Sequence, residues 1–119
     1  MKLDWDVIRE ILLSIEALDQ RQQQQLHYEL NEDDEKGTAV HAIRLFKANF
    51  IEARDWSTSE GVHIVATDLT WTGHELLKTM QSNQVWAQIK ALAKSGSSEL
   101  TVELIKRLYP KALDFVFGT

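Results

Sequence analysis

A helical run that stops sharply at Asn49, two strand-like runs joined by a short polar loop, and a new helix opened by Leu69-Thr70-Trp71-Thr72-Gly73-His74-Glu75 together predict an α+β, mostly helical fold of winged-helix type. The 119 residues, 44% of them hydrophobic, are the size of one domain that buries a core without staples. Residues 1–81 read as the winged-helix core with a short β-hairpin wing, and residues 82–119 as a C-terminal helical extension.

Each element has a local reason. Trp5, Ile8, Ile11, Leu12, Ile15 and Leu18 recur at helical spacing, so the first helix runs from about Asp4, its cap, to Leu18. The tract Asp19-Gln20-Arg21-Gln22-Gln23-Gln24-Gln25 has no apolar face and reads as a solvated connector. Leu26 to Leu30 alternates and reads as a short strand, although a helical turn fits the same residues. Asn31 to Glu35 supplies cap candidates and an acidic first turn for the next helix, which Gly37 weakens. From Thr38 onward Ala39, Ala42, Ile43, Leu45, Phe46 and Phe50 point inward, with His41, Arg44 and Lys47 outward. Asn49 closes this helix in the left-handed conformation, which asparagine tolerates better than most residues.

Phe50–Asp55 and Val62–Thr67 form the hairpin around the bend Trp56–Gly61. The helix that follows has two possible caps, Thr70, or Thr72 with Glu75 as a capping box and Trp71 stapled to Leu76. Val85, Trp86, Ile89, Leu92 and Ala93 mark another helix, capped near Ser82 or Asn83 and stopped around Gly96. Thr101 caps the last one, where Pro110 predicts a kink or break after Leu108.

Zero cysteines exclude disulfides and thiolate metal sites, and no apolar stretch approaches the roughly 20 residues of a membrane span, so a reducing cytoplasm is expected. The net charge of −5 is uneven. Residues 1–37 hold 4 basic and 10 acidic side chains, whereas residues 82–119 come to +2. A nucleic-acid binder usually carries a basic stripe, and here it is weak.

The stretch from Val40 to Ile51 resembles the recognition-helix end of bacterial winged-helix regulators, where a glycine often stands at the position of Asn49. Met1 to Glu16, the His41 helix and Leu69 to Leu77 together resemble the bacterial and phage-associated family known as domain of unknown function 2513, over nearly the whole chain. That resemblance implies bacterial or prophage origin, a small stand-alone protein and a winged-helix fold, and it carries no established activity. Two departures touch DNA binding: the region before His41 is short and acidic for a second helix and turn, and Ala39 and Ala42 are small.

Candidate DNA contacts are Thr38, His41, Arg44 and Lys47 on the helix and Arg54 and His63 on the wing. The same side chains also suit a solvated face, and His41 suits local packing beside Leu45. His63, His74 and Glu75 match no metal-ligand spacing, and no catalytic arrangement or cofactor motif stands out, so neither metal, cofactor nor enzymatic activity is expected. Trp71 and His74 are expected to fasten the post-wing helix, while Trp56 at the bend either meets a partner or folds back over the sheet. Leu104, Leu108, Leu113, Phe115 and Phe117 suggest a homodimer through the C-terminal helices. Two functions fit: a regulator that binds double-stranded DNA, or an interaction module that binds a host or phage protein without touching DNA.

Overall fold

The computed structural model describes residues 2–118. Its elements are α1 (Trp5–Glu16), β1 (Leu26–Glu29), α2 (Thr38–Lys47), β2 (Ile51–Asp55), β3 (His63–Leu69), α3 (Trp71–Met80), α4 (Asn83–Ser95) and α5 (Val102–Phe117). The fold is α+β and mainly helical, with a hairpin directly after α2 as predicted. The chain divides into two compact units at His74/Glu75, within α3. Among the described residues no helix is long and apolar enough to cross a membrane.

In the first unit, the Asp4 carboxylate caps α1 by accepting from the Asp6 and Val7 amides at 3.1 and 3.2 Å. Val7, Ile8, Ile11, Leu12 and Ile15 turn one face of α1 into the core, against α2 and β3. The glutamine tract is an exposed connector, as expected, and carries one short turn. Asp19 caps a 3-10 turn at Gln20–Gln22, and the Gln20 side chain donates from Nε2 to the Thr67 carbonyl at 2.6 Å.

The sheet is antiparallel with order β1-β3-β2, so the hairpin gains a third strand from β1. Leu26 lies opposite Ala66 and Glu29 opposite His63, while β2 pairs Ile51 with Leu69 and Asp55 with Ile64 across a bulge at Glu52/Ala53. Ile51, Ile64, Val65, Ala66 and Leu69 are its buried positions.

No helix occupies the stretch between β1 and α2. The acidic run was expected to begin a helix, but Gly37 takes φ +71 and the helix starts only at Thr38. Asp34 instead reaches forward to accept from the Ala39 and Val40 amides, so a carboxylate outside the helix satisfies its first-turn donors. At the other end Asn49 has φ +65, with the Phe50 amide donating to the Leu45 carbonyl at 2.9 Å and the Asn49 amide to Phe46 at 3.0 Å, a Schellman closure.

Thr70, not Thr72, caps α3. Its hydroxyl accepts from the Gly73 amide at 3.0 Å and donates to the Asn49 carbonyl at 2.7 Å, tying the end of α2 to the start of α3. Gly73 lies against the Phe50 carbonyl, where a Cβ would come within 2.0 Å of the oxygen. Trp71 is 82% exposed, so it neither staples to Leu76 nor fastens the helix. His74 lies 4.0 Å from Asp68.

In the second unit α4 and α5 pack together through Val85, Trp86, Ile89 and Ala93 on one helix and Ile105 and Ala112 on the other. Ser82 and Thr101 are their caps, accepting from the Val85 and Leu104 amides. Of the kink or break expected after Leu108, the break does not occur: α5 runs through Pro110. Pro110 and Lys106, whose carbonyl the proline deprives of its amide partner, are both exposed residues. Leu104, Leu108 and Leu113 are half-buried, while Phe115 and Phe117 stand largely exposed.

Candidate functional site

α2 lies on α1, β1 and β2, and this wide buried arc decides which of its side chains face out. Arg44 and Lys47 are exposed, Thr38 and Val40 are half-buried, and His41 is only 4% exposed. The outward stripe is therefore Val40, Arg44 and Lys47, and His41 is not part of it. The imidazole is held at both nitrogens: Nε2 accepts from the Asp4 amide at 2.8 Å and Nδ1–H donates to the Gly37 carbonyl at 2.7 Å. This is the neutral Nδ1–H tautomer used as a tether between the start of α1 and the start of α2. A ring so engaged cannot present its edge to a base pair, which corrects the outward placement read from its spacing.

Arg54 is exposed on β2, opposite Val65. His63, the first residue of β3, is half-buried and joins a cluster that the sequence did not reveal. Its Nε2 lies 2.9 Å from His27 Nδ1 on β1, and its Nδ1 lies 3.5 Å from a Glu29 carboxylate oxygen. Glu29 orients the Nδ1–H of His63, so Nε2 accepts and His27 donates. Trp56 at the hairpin bend stands T-shaped to both rings, with centroids 5.6 and 5.8 Å away. Trp56 thus folds back onto the sheet while half of it stays open to solvent. Alternation along β1 puts His27 and Glu29 on one face; what sequence lacks is the register that brings His63 beside them.

Beside this cluster a groove of about 280 Å³ runs between α2 and the sheet end, walled by Leu30, Val40, Ile43, Arg44, Lys47 and Val62. A second recess of about 350 Å³ shares Leu30 and Val62 and continues toward Trp56, Glu60 and His63. The two meet where the Leu30 amide donates to the Val62 carbonyl at 3.0 Å, one rung past the end of β1. Leu30, Val62 and Trp56 are 45%, 37% and 47% exposed, an apolar strip along the groove floor. A further recess of about 400 Å³ reaches from His27 along β1 to Asp34 and Thr38. Tyr28 lines it, and burial pushes its hydroxyl pKa up to about 12. At the bend, the Ser57 hydroxyl and amide hold the Asp55 carboxyl below the usual carboxylate range.

Among the described residues no group of three His, Cys, Asp or Glu side chains is placed to hold a metal ion. What the arrangement offers is a surface: an apolar floor, two cations on one wall and two carboxylates, Glu29 and Glu60, near the far end.

No solved structure matches the chain significantly. A protein of Haemophilus influenzae strain Rd, described as uncharacterized, is 35% identical over 108 residues, which is 91% of this chain and 92% of that protein. The family described as "Hypothetical protein (DUF2513)" matches residues 2–99, and the chain belongs to it.

Proposed function

We propose that this chain is a protein-interaction module on a winged-helix-like scaffold, with the groove between α2 and the hairpin as its contact surface. The observation that carries this reading is the exposed strip Leu30, Val62 and Trp56, three large apolar side chains contiguous along one groove. Soluble surfaces keep such strips small unless a partner covers them, and aromatic and aliphatic anchors in a concave floor are what protein interfaces use. A duplex would meet the opposite of what it needs here, because Glu32 to Glu35 stand at the start of α2 and the outward stripe offers only two cations.

DNA-binding regulation is the second reading, favoured by the exposure of Arg44, Lys47 and Arg54 on α2 and β2. Two measurements separate them. A photo-crosslinking residue placed at Val62 is expected to give a discrete protein adduct in the cells that make this chain, one lost with Leu30→Glu and absent when the residue sits at Glu16. Anisotropy with mixed-sequence duplex at low salt is expected to show no binding at micromolar protein. Salt-steep binding abolished by Arg44→Ala/Lys47→Ala, with no adduct at Val62, would overturn the module in favour of the regulator.

A further inference from the structure

Resting on that interaction reading, we propose that the groove takes a partner segment in which a bulky apolar side chain stands beside carboxylates. The apolar side chain sits over Leu30, Val40 and Val62, and the carboxylates meet Arg44 and Lys47.

Charge complementarity carries the argument. Arg44 and Lys47 are three residues apart on α2, so both head groups rise from one wall of the groove. Among the described residues neither is held in an ion pair, although the Lys47 charge reaches Asp55. The rest of that groove is aliphatic and carries no carboxylate. Two uncommitted cations at the rim of an aliphatic slot select a ligand whose anions lie next to its apolar anchor. A volume of about 280 Å³ accommodates a large side chain, since a cavity of roughly 150 Å³ lined by aliphatic and aromatic groups already takes benzene.

Direction follows from the other end. Beyond Leu30 and Val62 the groove meets Glu29 and Glu60, which repel a carboxylate and favour a cationic or neutral residue. The segment therefore lies with its acidic end on α2 and its neutral or basic end at the hairpin.

The test is selection from a random displayed peptide library against the folded full chain, with the Leu30→Glu variant as counter-selection. Enriched peptides are expected to pair a large apolar residue with neighbouring Asp or Glu, and to bind about tenfold more weakly to Arg44→Glu/Lys47→Glu, whose folding is checked by circular dichroism. Peptides with an apolar anchor and no acidic preference, or peptides insensitive to that charge reversal, would overturn the inference and leave the interaction module standing. A library that yields nothing sensitive to Leu30→Glu would remove both.

Discussion

Replacing His41 with alanine separates a tether from a contact residue. The substitution deletes the acceptor of the Asp4 amide and the donor to the Gly37 carbonyl, and empties a site that is 4% exposed. Each hydrogen bond contributes about 1 kcal/mol net, and the Asp4 end falls at the low side because Asp4 is exposed and its amide regains water. Removal of the ring leaves unfilled volume that adds about 1–2 kcal/mol, so the whole change costs about 2–4 kcal/mol. At about 3–5 °C per kcal/mol for a chain of this size, the melting temperature drops by about 6–20 °C. The assay is thermal unfolding followed at 222 nm, with a urea titration at fixed temperature as a check. Arg44→Ala serves as the comparison, since an exposed side chain without a partner changes stability by about 0.5 kcal/mol or less. A His41→Ala protein that melts within 2 °C, roughly the scatter of surface variants, would refute the tether and return His41 to the list of contact residues.

Three further outcomes test the frame around the groove. Gly73→Ala gains about 1 kcal/mol of helix propensity but drives a Cβ to 2.0 Å from the Phe50 carbonyl oxygen, so a net loss of about 1–3 kcal/mol is expected in urea unfolding; unchanged or raised stability would show that the corner yields freely. Asp34→Ala removes the carboxylate that caps the Ala39 and Val40 amides and should cost about 1 kcal/mol, with Asp34→Asn recovering part of it, read as the shift in urea midpoint. Tyr28 has its hydroxyl pKa raised to about 12 in the folded chain against 10.0 for the free side chain, so its contribution to stability is complete below pH 10 and is lost as pH climbs toward 12; the urea midpoint of Tyr28→Phe should fall less steeply than that of the parent over this window.

Features set by neighbours along the chain were legible, and features set across it were not. Asn49 could be read because few residues besides glycine accept a left-handed φ, and the Schellman bonds at Leu45 and Phe46 then follow from local geometry. Thr101 and Ser82 were readable for the same reason, each a hydroxyl three residues before the amide it caps. The choice between Thr70 and Thr72 was open because both fit the local rule. It is settled by distant groups, the Asn49 carbonyl that Thr70 also engages and the approach of Gly73 to Phe50. His41 was misplaced because its i, i+3, i+6 relation to Arg44 and Lys47 spreads the three over about a third of the helix circumference, with His41 at one edge, and only the packing of α2 on both α1 and the sheet shows how wide the buried arc is. The pairing of His27 with His63 depends on strand register over 36 positions, which no local pattern encodes.

The acidic run before α2 sets the charge at that helix start. A helix start with free amides attracts phosphate, and winged-helix proteins that bind DNA profit from that attraction. Here the Asp34 carboxylate already occupies the Ala39 and Val40 amides, and Glu32, Asp33 and Glu35 surround it with exposed negative charge. A backbone phosphate arriving at that end would displace a carboxylate and approach several more. The cations lie at the opposite end, Arg44 and Lys47 in the last turn, beside the aliphatic groove. α2 is thus polarised along its length, closed to anions at its start and open to them at its finish. A ligand with few charges and an apolar anchor matches that polarity, whereas a continuous polyanion would have to cross both ends. The salt dependence follows. An acidic segment that engages two cations has a shallow dependence, and a slope as steep as that for a duplex neutralised at six or more phosphates would contradict the arrangement of charge on this helix.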